Sequence, residues 1–100
     1  MSRIFYEVTA TVSDRGIADE WVRWMCDEHI DKVLAAGADR ARLLKLDDLT
    51  NVFLVLYEFP NRQAFDHYQA THAPALRAVG AAKFEAEQVR YARRTGEILR

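Results

Sequence analysis

Hydrophobic and polar positions along this chain follow two rhythms. From Arg3 to Val12 (RIFYEVTATV) they alternate, with Ile4, Tyr6, Val8, Ala10 and Val12 on one face and Phe5, Glu7, Thr9 and Thr11 on the other. A period of two carried by β-branched and aromatic residues predicts a strand with one core face. Ser13 and Asp14, both competent N-caps, introduce a helical period over roughly Asp14 to Ala36, closed by Gly37, the residue favoured just past a helix end. Arg40 to Leu46 and Asn51 to Phe59 flank an Asp-Asp-rich turn and read as a β-hairpin. Asn61, after Pro60, caps a second helical pattern from Arg62 to about Ala82, and Glu85 to Arg93 alternates again as a strand.

The order is therefore β-α-β-β-α-β. It predicts an α+β fold in which two helices cover one face of a four-stranded antiparallel sheet and leave the other face open. Asn51 to Phe59 bears on that open face, because only Asn51 and Glu58 are polar in the run. A strand apolar on both sides is central and covered twice. A second copy packing on the open face supplies the missing cover, so a homodimer is expected.

On a helical wheel the first helix puts Ile17, Trp21, Val22, Trp24 and Met25 on one arc. Continued in the same register, Glu28 and His29 fall inside that apolar arc, while Ile30 and Leu34 fall outside it. A bend or register shift near Glu28 to Asp31 would return Ile30, Val33 and Leu34 to the core. In the second helix Phe65, Tyr68, Ala75, Leu76 and Val79 form the stripe, with His72 near its centre and His67 on the solvated side. Pro74 lacks an amide hydrogen and disfavours helical geometry at Ala73, which predicts a break beside His72. His29 and His72 thus both lie at helix breaks on core-facing stripes, placed to share one cavity between helices and sheet.

Each of these groups also has a structural reading. A core-facing histidine is more often bonded to a free carbonyl than catalytic. Glu28 serves equally as a local partner for a histidine or backbone amide, or as a catalytic carboxylate. Trp21, Trp24, Met25, Phe65 and Tyr68 at helical spacing fit plain core packing. Tyr6 and Tyr57 project from strands and carry hydroxyls that need partners, at the sheet rim or on a ligand.

Composition narrows the chemistry. One hundred residues, 50% hydrophobic, fit one domain spanning residues 1–100. Fourteen Lys+Arg against fifteen Asp+Glu leave a net charge of −1, which argues against nucleic acid or an anionic membrane as partner. No apolar run is long enough for a membrane span, and the lone Cys26 fits a reducing cytoplasm. No metal site is expected: Cys26 and His29 offer two ligands, and His67 and His72, five apart, point to different sides of an α-helix. Arg90, Arg93 and Arg94 read as a solvated strand end or a dimer-clasping tail, a weak anion site without a glycine-rich loop.

Three stretches carry a resemblance: Ile4-Phe5-Tyr6-Glu7-Val8, the run from Trp21 to Ile30 (WVRWMCDEHI), and that from Tyr68 to Arg77 (YQATHAPALR). They resemble a bacterial domain-of-unknown-function family similar to the dimeric α+β barrel superfamily, which is ferredoxin-like in topology. That superfamily spans cofactor-independent monooxygenases, lactone isomerases, polyketide cyclases and dye-decolourising and haem-degrading enzymes, and the fold does not choose among them. The resemblance implies a ligand cavity between helices and sheet in each subunit.

The expected function is a dimeric protein binding a small, mostly apolar molecule, with Tyr6, Trp24, Tyr57 and Tyr68 as ligand contacts beside His29 and His72. In the enzyme version, isomerase, cyclase or monooxygenase-like and needing no cofactor, a neutral His72 takes a proton while His29 or Glu28 orients it or returns the proton. A non-enzymatic interaction module acting through the dimer face or the Arg90 to Arg94 tail is the remaining alternative.

Overall fold

A computed structural model describes residues 2–100 of the chain. Strand β1 (Ile4–Val12) is followed by helix α1 (Arg15–Trp24), a π-helical turn (Met25–His29) and helix α2 (Ile30–Ala35). The hairpin β2 (Arg40–Lys45) and β3 (Val52–Phe59) leads to α3 (Arg62–His67), a second π-helical turn (Tyr68–His72), α4 (Ala73–Lys83) and β4 (Val89–Glu97). The sheet order is β2-β3-β1-β4, with every neighbouring pair antiparallel. This is the ferredoxin-like β-α-β-β-α-β arrangement, with β1 and β3 as the inner strands.

Local chemistry fixes the element ends. The Asp14 carboxylate accepts a hydrogen bond from the Ile17 amide at 2.9 Å, and the Asn61 side chain accepts from Ala64 at 2.8 Å, so both helical arms start on capped amides. Gly37, at φ +129°, ends the first arm in a backbone region that a β-carbon disfavours. Asn51 takes a left-handed φ of 58° at the end of the hairpin turn, a conformation asparagine tolerates better than most residues. The last strand begins at Val89, four residues later than the alternation from Glu85 predicts. Full-length pairing with β1, from Val12 opposite Val89 to Ile4 opposite Glu97, sets its limits, while the stretch before it forms a turn with Gln88 bonded back to Glu85.

The helix-facing side of the sheet is the core. Ile4, Tyr6, Val8, Ala10 and Val12 of β1 and Phe53, Val55, Tyr57 and Phe59 of β3 are all buried there. The opposite side presents Phe5, Thr9, Val52, Leu54 and Leu56, half-buried beneath no helix, and the buried Glu7. Arg94 clamps Glu7 through two hydrogen bonds of 2.9 and 2.6 Å, a charge-assisted pair across neighbouring strands. The double-sided apolar character of β3 is thus seen directly.

Phe59 is fully buried and packs on Phe65 and Tyr68, with ring centroids 5.1 and 5.2 Å away. Phe59→Ala is expected to cost about 3–5 kcal/mol in urea unfolding, whereas Leu49→Ala in the exposed hairpin turn should stay within about 0.5 kcal/mol. Equal shifts in the two midpoints would contradict this placement of the core.

Candidate functional site

The two π-helical turns shape the site. In an α-helix, residues five apart lie about 140° around the axis from one another. A π turn bonds residue i to i+5 and adds one residue to the circuit. The Ile30 amide accordingly reaches the Met25 carbonyl, and the Ala73 amide that of Tyr68. This is the register shift the wheel demanded near Glu28, and beyond it Ile30, Val33 and Leu34 pack against the core. In the second arm the turn moves the buried stripe to Ala73, Leu76 and Gly80, so Ala75 and Val79, expected inside, are exposed. Pro74 is accommodated in the first turn of α4, where a missing amide hydrogen costs little.

Each π turn brings a ring against that of its i−5 neighbour. His29 lies on Trp24 with centroids 4.8 Å apart, and His72 meets His67 edge-on at 5.6 Å. The second pairing corrects the expectation that His67 and His72 point to different sides of the helix, which holds only for α geometry. No group of three or more metal-ligating side chains occurs among the described residues.

A cavity of about 50 Å³ lies between the helical arms and the sheet. All four of the chain's tyrosines, Tyr6, Tyr57, Tyr68 and Tyr91, line it, together with both tryptophans and His29. Met25, Val8, Val55 and Leu76 complete its apolar wall, and Gly80 leaves room for Trp24, whose ring would lie 3.2 Å from any β-carbon there. Arg77 and Arg93 are its exposed lining residues, so it meets solvent beside them. As closed, the space is of a size to hold a few water molecules.

The polar groups of this cavity are unevenly satisfied. Trp21 donates its indole N–H to the Tyr91 hydroxyl at 3.0 Å, and Arg77 reaches the Tyr6 hydroxyl at 3.4 Å while bonding Gln69 at 3.0 Å. The Tyr57 hydroxyl is buried with no partner among the described residues. Burial raises the pKa of Tyr57 and Tyr91 and, with Tyr6 nearby, pushes Tyr68 up to about 12, so these phenols are neutral at pH 7. Desolvation, helped by the positive charges of Lys32 and Arg93, lowers the His29 pKa to about 4 and keeps the imidazole neutral.

Tyr6, Trp24, Tyr57, Tyr68 and His29 are therefore gathered at one cavity. His72 is not among its lining residues; the π turn carries its ring to His67. Glu28 is exposed and lies outside the cavity, in a shallow surface depression with Glu20 and Lys83. The expected pairing of His29 with His72 or Glu28 therefore does not form. Sequence reasoning missed Tyr91, Arg77 and Arg93. The alternation of Val89, Tyr91 and Arg93 was the available signal for two of them, obscured because Arg93 reads naturally as a solvated strand end.

Over residues 3–98 the sequence matches a family described as Domain of unknown function (DUF4286). Curated protein sequences give no significant match. Among solved structures, the chain is similar to a dimeric ferredoxin-like protein from an uncultured marine organism, with TM-score 0.76 and 9% identity over 98% of this chain and 95% of that one. It is similar to a conserved protein of unknown function from Bacteroides thetaiotaomicron described as a possible oxidoreductase, with TM-score 0.70 and 14% identity over 97% and 98% of the two chains. SnoaB, a cofactor-independent oxygenase from Streptomyces nogalater, aligns over 100% of this chain and 96% of its own, with TM-score 0.68 and 13% identity. At such identities the likeness concerns the fold.

Two outcomes are expected from the site's electrostatics. Tyr57→Phe removes a buried hydroxyl that has no protein partner, so it should leave stability unchanged or raise it by about 1 kcal/mol, where removal of a bonded hydroxyl would lower it. A clear loss in the thermal midpoint would show that the hydroxyl is satisfied. The unfolded chain takes up a proton at the ordinary histidine value of 6.5 and the folded His29 only near 4, so stability falls as pH drops through that interval. Allowing for partial exposure of the ring, the loss is on the order of 2 kcal/mol, absent in His29→Gln, and an NMR titration midpoint for His29 near 6.5 would contradict it.

Proposed function

The chain belongs to the Domain of unknown function (DUF4286) family, and because that membership names no reaction, we propose from the geometry that it binds a small, mostly apolar molecule between helices and sheet. One observation carries the reading: four tyrosines and two tryptophans converge on a single cavity into which the Tyr57 hydroxyl is buried without a partner. Leaving such a group unbonded costs about 1–3 kcal/mol, a cost that an occupant bearing a hydrogen-bond acceptor or donor removes. The neutral imidazole of His29, set against Trp24, offers that occupant a second polar contact.

We propose further that the protein acts as a homodimer through the open sheet face. Val52, Leu54, Leu56 and Phe5 support this, since an apolar face of this kind in water calls for cover, and a similar structure is described as dimeric. The exposed thiol of Cys26 fits a reducing compartment such as the cytoplasm, and no helix among the described residues is long and apolar enough to cross a membrane.

A cofactor-independent enzyme is the second reading, favoured by a neutral imidazole and an unbonded phenol in one enclosed space. It now rests on His29 alone, because His72 and Glu28 lie elsewhere. With a pKa near 4, His29 is a better hydrogen-bond acceptor than proton-abstracting base at neutral pH, which is why binding is the leading reading.

Val8→Phe puts a ring where the cavity lies and tests the binding reading. Small aromatic probes such as phenol should shift the resonances of Trp21 and Trp24 in the wild type and lose that effect in the variant, while far-UV circular dichroism stays unchanged. Probe shifts that persist in Val8→Phe would sink the assignment. Light scattering should give about twice the 11.5 kDa chain mass, and Leu54→Arg should halve it; a wild-type monomer at micromolar concentration would overturn the dimer.

A further inference from the structure

We infer that the occupant of the tyrosine cavity is an anion, an aromatic molecule carrying a carboxylate or an equally acidic group, held at the cavity mouth by Arg77 and Arg93; this rests on the binding reading above. The chain as a whole is slightly acidic, with a net charge of −1. Its cavity is the reverse, because two arginines line it and no aspartate or glutamate does.

Both guanidinium groups are held on uncharged partners. Arg77 bonds the side-chain carbonyl of Gln69 and reaches the Tyr6 hydroxyl, and Arg93 lies over the Tyr91 ring at 5.0 Å. Among the described residues neither has a carboxylate partner, whereas Arg3 is paired with Asp39 and Glu58, and Arg94 with Glu7. What sets Arg77 and Arg93 apart is their place, two arginines without a carboxylate partner lining an aromatic cavity that has no acidic residue in its wall. A guanidinium presents paired N–H donors that match a carboxylate, and it stacks on aromatic faces meanwhile.

The groups deeper in the cavity agree with a negative headgroup at the mouth and an uncharged body inside. The Tyr57 hydroxyl is free to donate, and the walls beside it are aromatic and aliphatic. Arg77 and Arg93 both act on Tyr68 in the direction that favours negative charge, and Arg93 disfavours a positive His29. A cationic ligand would meet two like charges and no acidic partner. A neutral one would leave the arginines unused.

A charge series of constant shape tests this: benzoate, benzamide and benzamidinium, titrated into the wild-type protein at low salt and followed by NMR at the Trp21 and Trp24 side chains. Benzoate should bind at least about tenfold more tightly than benzamide, and benzamidinium most weakly, with the gap narrowing as salt is raised. In Arg77→Gln and Arg93→Gln combined, benzoate should fall to the level of benzamide while benzamide itself is little changed. Equal binding of benzoate and benzamide to the wild type would overturn the anion assignment but leave the binding reading intact. A benzoate preference that survives both substitutions would overturn the role of these arginines, and failure of all three probes to shift either tryptophan would overturn the binding reading as well.

Discussion

Each helical arm must keep an apolar stripe on the sheet along its whole length, yet each carries one residue more than a continuous α-helix could hold in that register. The π turns at Met25–His29 and Tyr68–His72 absorb the extra residue. Without them Ile30 and Leu34, or Ala73 and Gly80, would rotate off the core. The turns are thus a packing solution first. Their consequence for chemistry is that residues five apart come into contact, which delivers His29 to Trp24 and turns His72 away toward His67.

The cavity beneath these turns opposes stability and recognition. Burying the Tyr57 hydroxyl without a partner and holding His29 uncharged both work against the folded state, the second increasingly at acidic pH. Groups kept in unfavourable environments by a rigid surround are frequent where a ligand is bound, because the ligand then makes the interaction that the protein lacks. The surround here is tied together across the sheet. Tyr6 and Tyr57 face each other on paired inner strands, their ring centroids 5.8 Å apart, and Trp21 is pinned to Tyr91 on β4.

The two sides of the sheet divide the work. One side holds the helices and the cavity, and the other displays β3's second row of aliphatic residues around the Glu7–Arg94 ion pair. Alternation along β4 sends Arg93 to the first side and Arg94 to the second, so adjacent arginines serve unrelated purposes. One is exposed at the cavity mouth; the other neutralises the buried acid of the open face.

Element order, both helix caps, the inner position of β3 and the interruption of each helix were legible in the sequence, because they follow from local periods and from residue types such as Asp14, Asn61, Gly37 and Pro74. The gathering of Tyr6, Trp24 and Tyr57 followed from the same periods, since alternation assigns strand faces without knowledge of neighbours. The partners of His29 and His72 did not, because a wheel assumes 3.6 residues per turn and one π turn rotates everything beyond it. Nor did the limits of β4, which depend on register against β1 at the other end of the chain; the inward side of Arg93 was carried by the alternation from Val89 but masked by its charge. The sequence by itself determined which faces are apolar; only the tertiary structure decided which polar groups those faces enclose, because a hydroxyl, an imidazole or a guanidinium acquires its environment from strands and helices distant along the chain.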